Sequence, residues 1–166
     1  MKNKTLLNGF YAGSIFLIWK LGVLMLGKQH EWLPTFPAGP LLLLMSIFIF
    51  ISITRFSGPE SSFVDDFKAG ARTGLVAAIV AGLGVFVYYS WFDPEFMPTR
   101  IQINIDAMKA MNDPNVKPED ITKAEEQMTE FFAPFSWTTL TVSGSAFFGM
   151  AFSLILSGLK RAFRSL

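Results

Sequence analysis

This chain predicts an all-α, polytopic membrane protein: four transmembrane helices, with an extramembrane helical hairpin between the third and fourth. Two observations carry that prediction. First, four apolar stretches, at 5–27, 32–54, 73–92 and 131–159, each approach or exceed the roughly 20 residues that a helix needs to cross a bilayer core. The last three contain no Asp, Glu, Lys, Arg or His. Second, 51% of the 166 residues are hydrophobic and only 16% are charged, against about 25% charged in a soluble domain. Four spans and their connections take up the length, so we expect a single membrane domain over 1–166. Its spans should lie at about 6–27, 38–55, 70–92 and 136–159, with an outward acidic helical loop at 93–134.

The first span follows Lys2 and Lys4, an arrangement like the start of a signal peptide. The apolar run continues to Gly27 and no small-x-small cleavage site closes it, so it reads as a retained signal-anchor helix. The second span should open at Pro40, because proline is favoured in the first helical position, and end near Arg55 before Ser57-Gly58-Pro59. Sixteen residues at 1.5 Å rise would make it short, about 24 Å, with Phe36 and Phe56 at the interfaces. Ser62 and Asp65 have the spacing of a capping box, so the third helix should begin there and run on into its span. It should stop at Asp93, because the residue before a proline is pushed out of the helical region. The fourth span should start after Pro134 and end at Lys160, Arg161 and Arg164.

Orientation follows from the basic residues. Lys2, Lys4, Arg55, Lys68, Arg72, Lys160, Arg161 and Arg164 crowd one set of span ends, and the positive-inside rule places that set in the cytoplasm. Trp32, Tyr88, Tyr89, Trp91 and Trp137 belong to the opposite ends, as an interfacial aromatic belt would. Both termini are therefore expected on the cytoplasmic side of the membrane.

The outward loop has nine Asp or Glu residues against Arg100, Lys109, Lys117 and Lys123. Pro98 can open a first helix with Ile101, Ile105, Met108 and Met111 on one face. Asn112-Asp113-Pro114-Asn115 makes a turn. Pro118 opens a second helix, with Glu119 and Asp120 in the first turn where they complement the helix dipole. Ile121, Ala124, Met128 and Phe131 form its apolar stripe. Two such helices should pair and lie over the end of the bundle, their acidic faces in water.

Two further features bear on packing and function. Gly70, Gly74, Ala78 and Gly82 recur every four residues along the third helix, and Ser145, Gly149, Ser153 and Ser157 along the fourth. Small residues at that spacing let helix backbones approach closely in lipid, so these two helices should pack together. Gly74→Leu should then be more damaging than Val76→Leu. Lys20 is the one ionisable group well inside a span. A charge at mid-bilayer costs at least about 2.5 kcal/mol, but Lys20 lies about 12 Å from its helix end and could snorkel or bond a bundle hydroxyl.

The absence of cysteine removes disulfides, thiolate metal sites and cysteine nucleophiles. A single histidine, His30, set in a short loop between Gln29 and Glu31, leaves almost no material for a histidine metal site or a catalytic triad. A Ser-Lys pair of Lys20 with Ser46 or Ser52 has nothing to fix its proximity. We therefore expect no catalytic residue, no metal, no cofactor and no nucleic-acid partner. The lipid bilayer is the expected environment, and a second copy of the chain or another membrane protein the expected partner.

With these residues placed, the chain resembles a bacterial membrane family known as domain of unknown function 4199. Phe67-Lys68-Ala69-Gly70, Tyr88-Tyr89-Ser90-Trp91-Phe92-Asp93-Pro94-Glu95-Phe96, Phe132-Ala133-Pro134, Gly149 and Leu154-Ile155-Leu156 leading to Lys160-Arg161 carry the resemblance. It implies four spans in a bacterial inner membrane and assigns no reaction. An accessory or scaffold protein without enzymatic activity is the leading functional expectation. A subunit of a small-solute transporter or channel is the alternative, against which stands the lack of an inverted repeat between the halves.

Overall fold

A computed structural model describes residues 2–29, 38–56, 60–111 and 117–164. Its helices are α1 (Lys2–Met25), α2 (Ala38–Ile51), α3 (Phe63–Val87), α4 (Phe96–Ala110), α5 (Pro118–Phe131) and α6 (Pro134–Arg164), and the described residues form no strand. π-helical turns extend α2 over Ser52–Phe56 and α3 over Tyr88–Phe92. Four stretches are long and apolar enough to cross a membrane: Asn3–Met25, Ala38–Phe56, Phe63–Phe92 and Pro134–Phe163. The chain is a multi-pass, all-α membrane protein. His30, Trp32, Phe36, the Ser57-Gly58-Pro59 breaker and the Asn112–Asn115 turn lie outside the described residues.

One expected boundary moves and another holds. The second helix begins at Ala38, two residues before Pro40, and its π-helical turn carries it to Phe56. Those 19 residues span nearly 30 Å at 1.5 Å per residue, so the short span inferred from Pro40 is corrected to one of ordinary length. The third helix starts at Phe63 because Ser62 and Asp65 cap it reciprocally. Asp65 accepts from the Ser62 backbone N–H at 3.3 Å, and the Ser62 hydroxyl accepts from the Asp65 N–H at 3.1 Å.

The chain divides into two compact units, Met1–Gly84 with Thr141–Leu166, and Val85–Leu140. In the first, contacts fix an up-down order. Asn8 bonds Ser52 and Lys4 lies over Phe56, so the start of α1 meets the end of α2. A Cβ on Gly74 would come within 2.9 Å of Gly149 Cα, and one on Gly70 within 2.5 Å of Ser153 Oγ, so α3 and α6 are antiparallel at backbone contact. The same register sets Ala78 opposite Ser145. Ala78, Gly82 and Ser145 are all buried.

A second close seam, between α1 and α3, is parallel. Gly9 meets Val76 and the Thr73 carbonyl, Gly13 meets Val80, and Gly84 receives Leu17. Gly9-x-x-x-Gly13 is the spacing that brings helices together in lipid, here with a valine ridge as its partner. Val76 is therefore a seam residue as well.

In the second unit, α4 packs on α5. Ile105 is buried and Ile101, Met108, Ile121, Ala124 and Met128 are half-buried, whereas Met111 and Phe131, the last members of each stripe, are exposed. Pro118 begins α5, and Asp120 accepts from the Lys117 backbone N–H at 3.1 Å. Phe132 stacks on Trp137 at 5.3 Å across the Ala133-Pro134 corner that starts α6.

Overpacking a tight core costs about 1–3 kcal/mol, and backbone contacts leave less room still. Gly9→Leu and Gly74→Leu should each lower the folded yield in detergent several-fold. Gly22→Leu should not, because nothing lies within 4 Å of where its Cβ would sit. Size-exclusion profiles of the three variants check this.

Candidate functional site

Within the first unit the polar side chains that four apolar helices carry inward gather near one end. Asn8 Nδ2 donates to Ser52 Oγ at 2.9 Å, and Ser52 Oγ lies 2.7 Å from Thr73 Oγ1. The Thr73 hydroxyl donates to the carbonyls of Thr5 (3.0 Å) and Ala69 (3.1 Å). A hydroxyl has one proton to give. Because Thr73 spends its own on the carbonyls, Ser52 is the donor between the two hydroxyls. The protons thus run in one direction, Asn8 to Ser52 to Thr73 to backbone, linking α1, α2 and α3. Thr5, Asn8, Ser52 and Thr73 are all buried, where an unsatisfied polar group would cost about 1–3 kcal/mol.

Nearby is a charged cluster that shares α2 and α3 with the first and adds α6. Lys160 Nζ donates to Asp66 Oδ1 at 2.7 Å, to the Ile53 carbonyl at 2.8 Å and to Ser61 Oγ at 3.1 Å. Ser61 in turn donates to Asp66 Oδ1 at 2.6 Å. Asp66 is fully buried. The Ile53 carbonyl that accepts from Lys160 lies in the π-helical turn Ser52–Phe56. This cluster ties the end of α6 to the start of α3 and the end of α2.

The serine ladder on α6 has a plainer role. Ser153 and Ser157 are buried and donate to the carbonyls one turn back, Gly149 and Ser153, at 2.5 and 2.7 Å. They are small and self-satisfied, which lets α6 lie against α3 without an unpaired hydroxyl. Lys20 is also buried, only 1% exposed. A snorkelling lysine keeps its ammonium in water or among headgroups; this one is turned into the protein, so of the two expected arrangements snorkelling is set aside and a bond within the bundle stands. Ser46 donates to the Leu42 carbonyl of its own helix, and Ser52 is held by Asn8 and Thr73.

The second unit has its own cluster, on the segment Tyr88–Phe96. Asp93 N–H donates to the Tyr88 carbonyl at 2.9 Å, closing the π-helical turn, and the Tyr88 hydroxyl donates to Asp93 Oδ2 at 3.2 Å. The Phe96 N–H donates to the Asp93 carbonyl at 3.2 Å, carrying the chain round Pro94 into α4. Tyr89 packs on Phe96 at 5.2 Å, and Arg100 lies over that ring at 5.9 Å. Asp93 is thus both the helix stop and the acceptor that holds Tyr88. The chain matches, over residues 7–161, the family described as protein of unknown function DUF4199. It belongs to that family. In this DUF4199 protein the aromatic-Asp-Pro segment that carries the resemblance is the one that builds the π-helical turn. No curated protein and no solved structure matches the chain.

Neither polar cluster of the first unit is apparent from local pattern. Asn8 and Ser52 are 44 residues apart, and Asp66 and Lys160 are 94 apart. The signal that could have pointed to them is the placement of Asn8, Ser52 and Thr73 within otherwise apolar spans, each near the same end. Among the described residues, no three or more His, Cys, Asp and Glu gather closely enough to hold a metal ion.

Removing one partner of a buried ion pair costs about 3–5 kcal/mol, whereas replacing both is often neutral. Lys160→Met and Asp66→Leu should each lower the detergent melting temperature, and the double variant should recover much of the loss. A thermal-melt double-mutant cycle checks it. Tyr88→Phe, which removes the bond to Asp93, should cost roughly 1–3 kcal/mol in the same assay.

Proposed function

We propose that this protein is an accessory or scaffold component of the bacterial inner membrane, without enzymatic activity, and that both its termini are cytoplasmic. The observation that carries this reading is the use to which the buried polar groups are put. Asn8, Ser52 and Thr73 bind one another and backbone, and Lys160, Asp66 and Ser61 do the same. Groups spent in this way fasten helices together. The orientation rests on the basic residues at the ends where α1 begins and α6 finishes, which the positive-inside rule assigns to the cytoplasm. The expected partner is another membrane protein or a second copy of the chain.

One observation favours a second reading, a subunit of a small-solute transporter or channel. Lys20 is buried within a spanning helix, and ionisable residues at membrane depth commonly mark solute or ion paths.

Two experiments test these readings. The chain has no cysteine, so single cysteines at Gln29, Asn115 and Ser165 report topology directly. Gln29→Cys and Asn115→Cys should react with an impermeant thiol reagent in cells whose outer membrane is permeabilised, and Ser165→Cys should not. Labelling at all three positions refutes the orientation. For function, Lys20→Met should leave crosslinked partner recovery from native membranes in step with protein level. A phenotype equal to deletion at normal protein level would put the transporter reading first.

A further inference from the structure

We propose that the basic end of the first unit is a binding surface for anionic phospholipid headgroups, centred on Lys68 and Arg72 beside the start of α1. The α1–α3 seam sets the geometry. Gly9 meets Val76, Gly13 meets Val80 and Leu17 meets Gly84, a step of four residues on both helices at each contact. One step back along both sets Arg72 beside Thr5, and the bond from Thr73 to the Thr5 carbonyl, at 3.0 Å, agrees with that register. Lys68 lies one turn further toward the same end of α3. Because the helices are parallel, Lys4 near the start of α1 and Lys68 and Arg72 in the second and third turns of α3 lie toward the same end. Antiparallel α2 adds to this: Lys4 Nζ lies 5.4 Å from the centre of the Phe56 ring, beside Arg55.

The acids at this end offset that charge only in part: exposed Asp65 acts on Lys68, but the basic residues outnumber Glu60 and Asp65. Asp66 is fully buried and bound by Lys160 and Ser61, toward α6 and α2. Asp65 is held by Ser62 as the cap of α3, its carboxylate accepting from the Ser62 hydroxyl at 2.6 Å. With Lys160 and Asp66 set aside as a pair, Lys4, Arg55, Lys68, Arg72 and Arg161 stand against Glu60 and Asp65. Lys4, Arg55, Lys68 and Arg161 are exposed and Arg72 is half-buried.

Depth selects lipid phosphate as the occupant. The spanning stretch Phe63–Phe92 has 30 residues, about 45 Å of helix against a hydrocarbon core of roughly 30 Å. Residues 73–92 contain no charge, whereas Asp65, Asp66, Lys68 and Arg72 fall in the first ten residues. The excess length therefore lies at the Phe63 end. Arg72 sits at the edge of the hydrocarbon and Lys68 one turn above it, at the level of the phosphates. Below them Leu6 and Phe10 on α1 are exposed and apolar, a surface for acyl chain. Basic pockets between spanning helices bind anionic headgroups in this way, with about 1 kcal/mol from each Lys or Arg.

Native mass spectrometry of the purified full chain in mixed micelles, titrated with phosphatidylglycerol or phosphatidylcholine, tests the proposal. The protein should retain phosphatidylglycerol in preference to phosphatidylcholine. Lys68→Gln with Arg72→Gln should weaken that retention roughly thirty-fold, and the charge-preserving Lys68→Arg with Arg72→Lys should keep most of it. Lys109→Gln with Lys123→Gln, the same charge change on α4 and α5, should leave it unaltered. Equal retention of the two lipids, undiminished phosphatidylglycerol on the Lys68→Gln/Arg72→Gln variant, or the same loss from Lys109→Gln/Lys123→Gln would overturn it. A fold check by melting temperature accompanies each variant, and the charge-preserving pair decides the matter if the Gln pair does not fold.

Discussion

Helices in lipid gain nothing from burying apolar side chains against one another, because the hydrocarbon tails are equally apolar. What holds this protein's first unit together must therefore be close packing and internal hydrogen bonding, and both converge on Thr73. Its hydroxyl joins Ser52 of α2 to the Thr5 carbonyl of α1. The next residue, Gly74, lies at backbone contact with Gly149 of α6. Every spanning helix thus meets within one turn of α3. The two glycine seams depend on this point: α6 and α1 approach α3 from different sides, and each approach is close enough that a single Cβ would obstruct it.

The π-helical turns belong to the same constraint. A helix that ends inside a bundle has carbonyls without intrahelical partners, and in lipid those carbonyls need a donor from the protein. At the end of α2 the Ile53 carbonyl accepts from Lys160, which also donates to Asp66 and Ser61. In the second unit the turn at the end of α3 is closed by Asp93, which takes its N–H back to Tyr88 and accepts from the Tyr88 hydroxyl. The residues that make the aromatic-Asp-Pro segment recognisable in sequence are the ones this turn needs. An aromatic donor, an acid five residues later and a proline that forbids further helix form one device.

The electrostatics follow from the up-down order. Parallel packing of α1 on α3 gathers basic residues at one end, and the antiparallel return of α6 brings Lys160 to the single acid that is buried there. One lysine therefore serves the fold, while Lys4, Lys68, Arg72 and Arg55 remain at the surface, where phosphate is the available counter-charge. On the other unit, Pro118 with Glu119 and Asp120 starts α5 in the manner its sequence requires, and the acidic residues that follow stay in water.

Four spans, the acidic helical pair and the stop at Asp93 were legible in the sequence, because each depends on local information. Apolar length, a proline, a capping serine and a period of 3.6 act within a few residues of themselves. The ladder of Gly70, Gly74 and Gly149 was legible for the same reason, as a spacing along one helix. Gly9 and Gly13 have that spacing too, but their partner is a ridge of valines, which has no signature of its own. Which polar residues would meet was decided only in the tertiary structure. Asn8, Ser52 and Thr73, or Asp66 and Lys160, are brought together by the direction and register of helices far apart in the chain. The side to which Lys20 turns was decided there as well: hydropathy gives a residue's depth along its helix, and only the packing of neighbouring helices determines whether that side is lipid or protein.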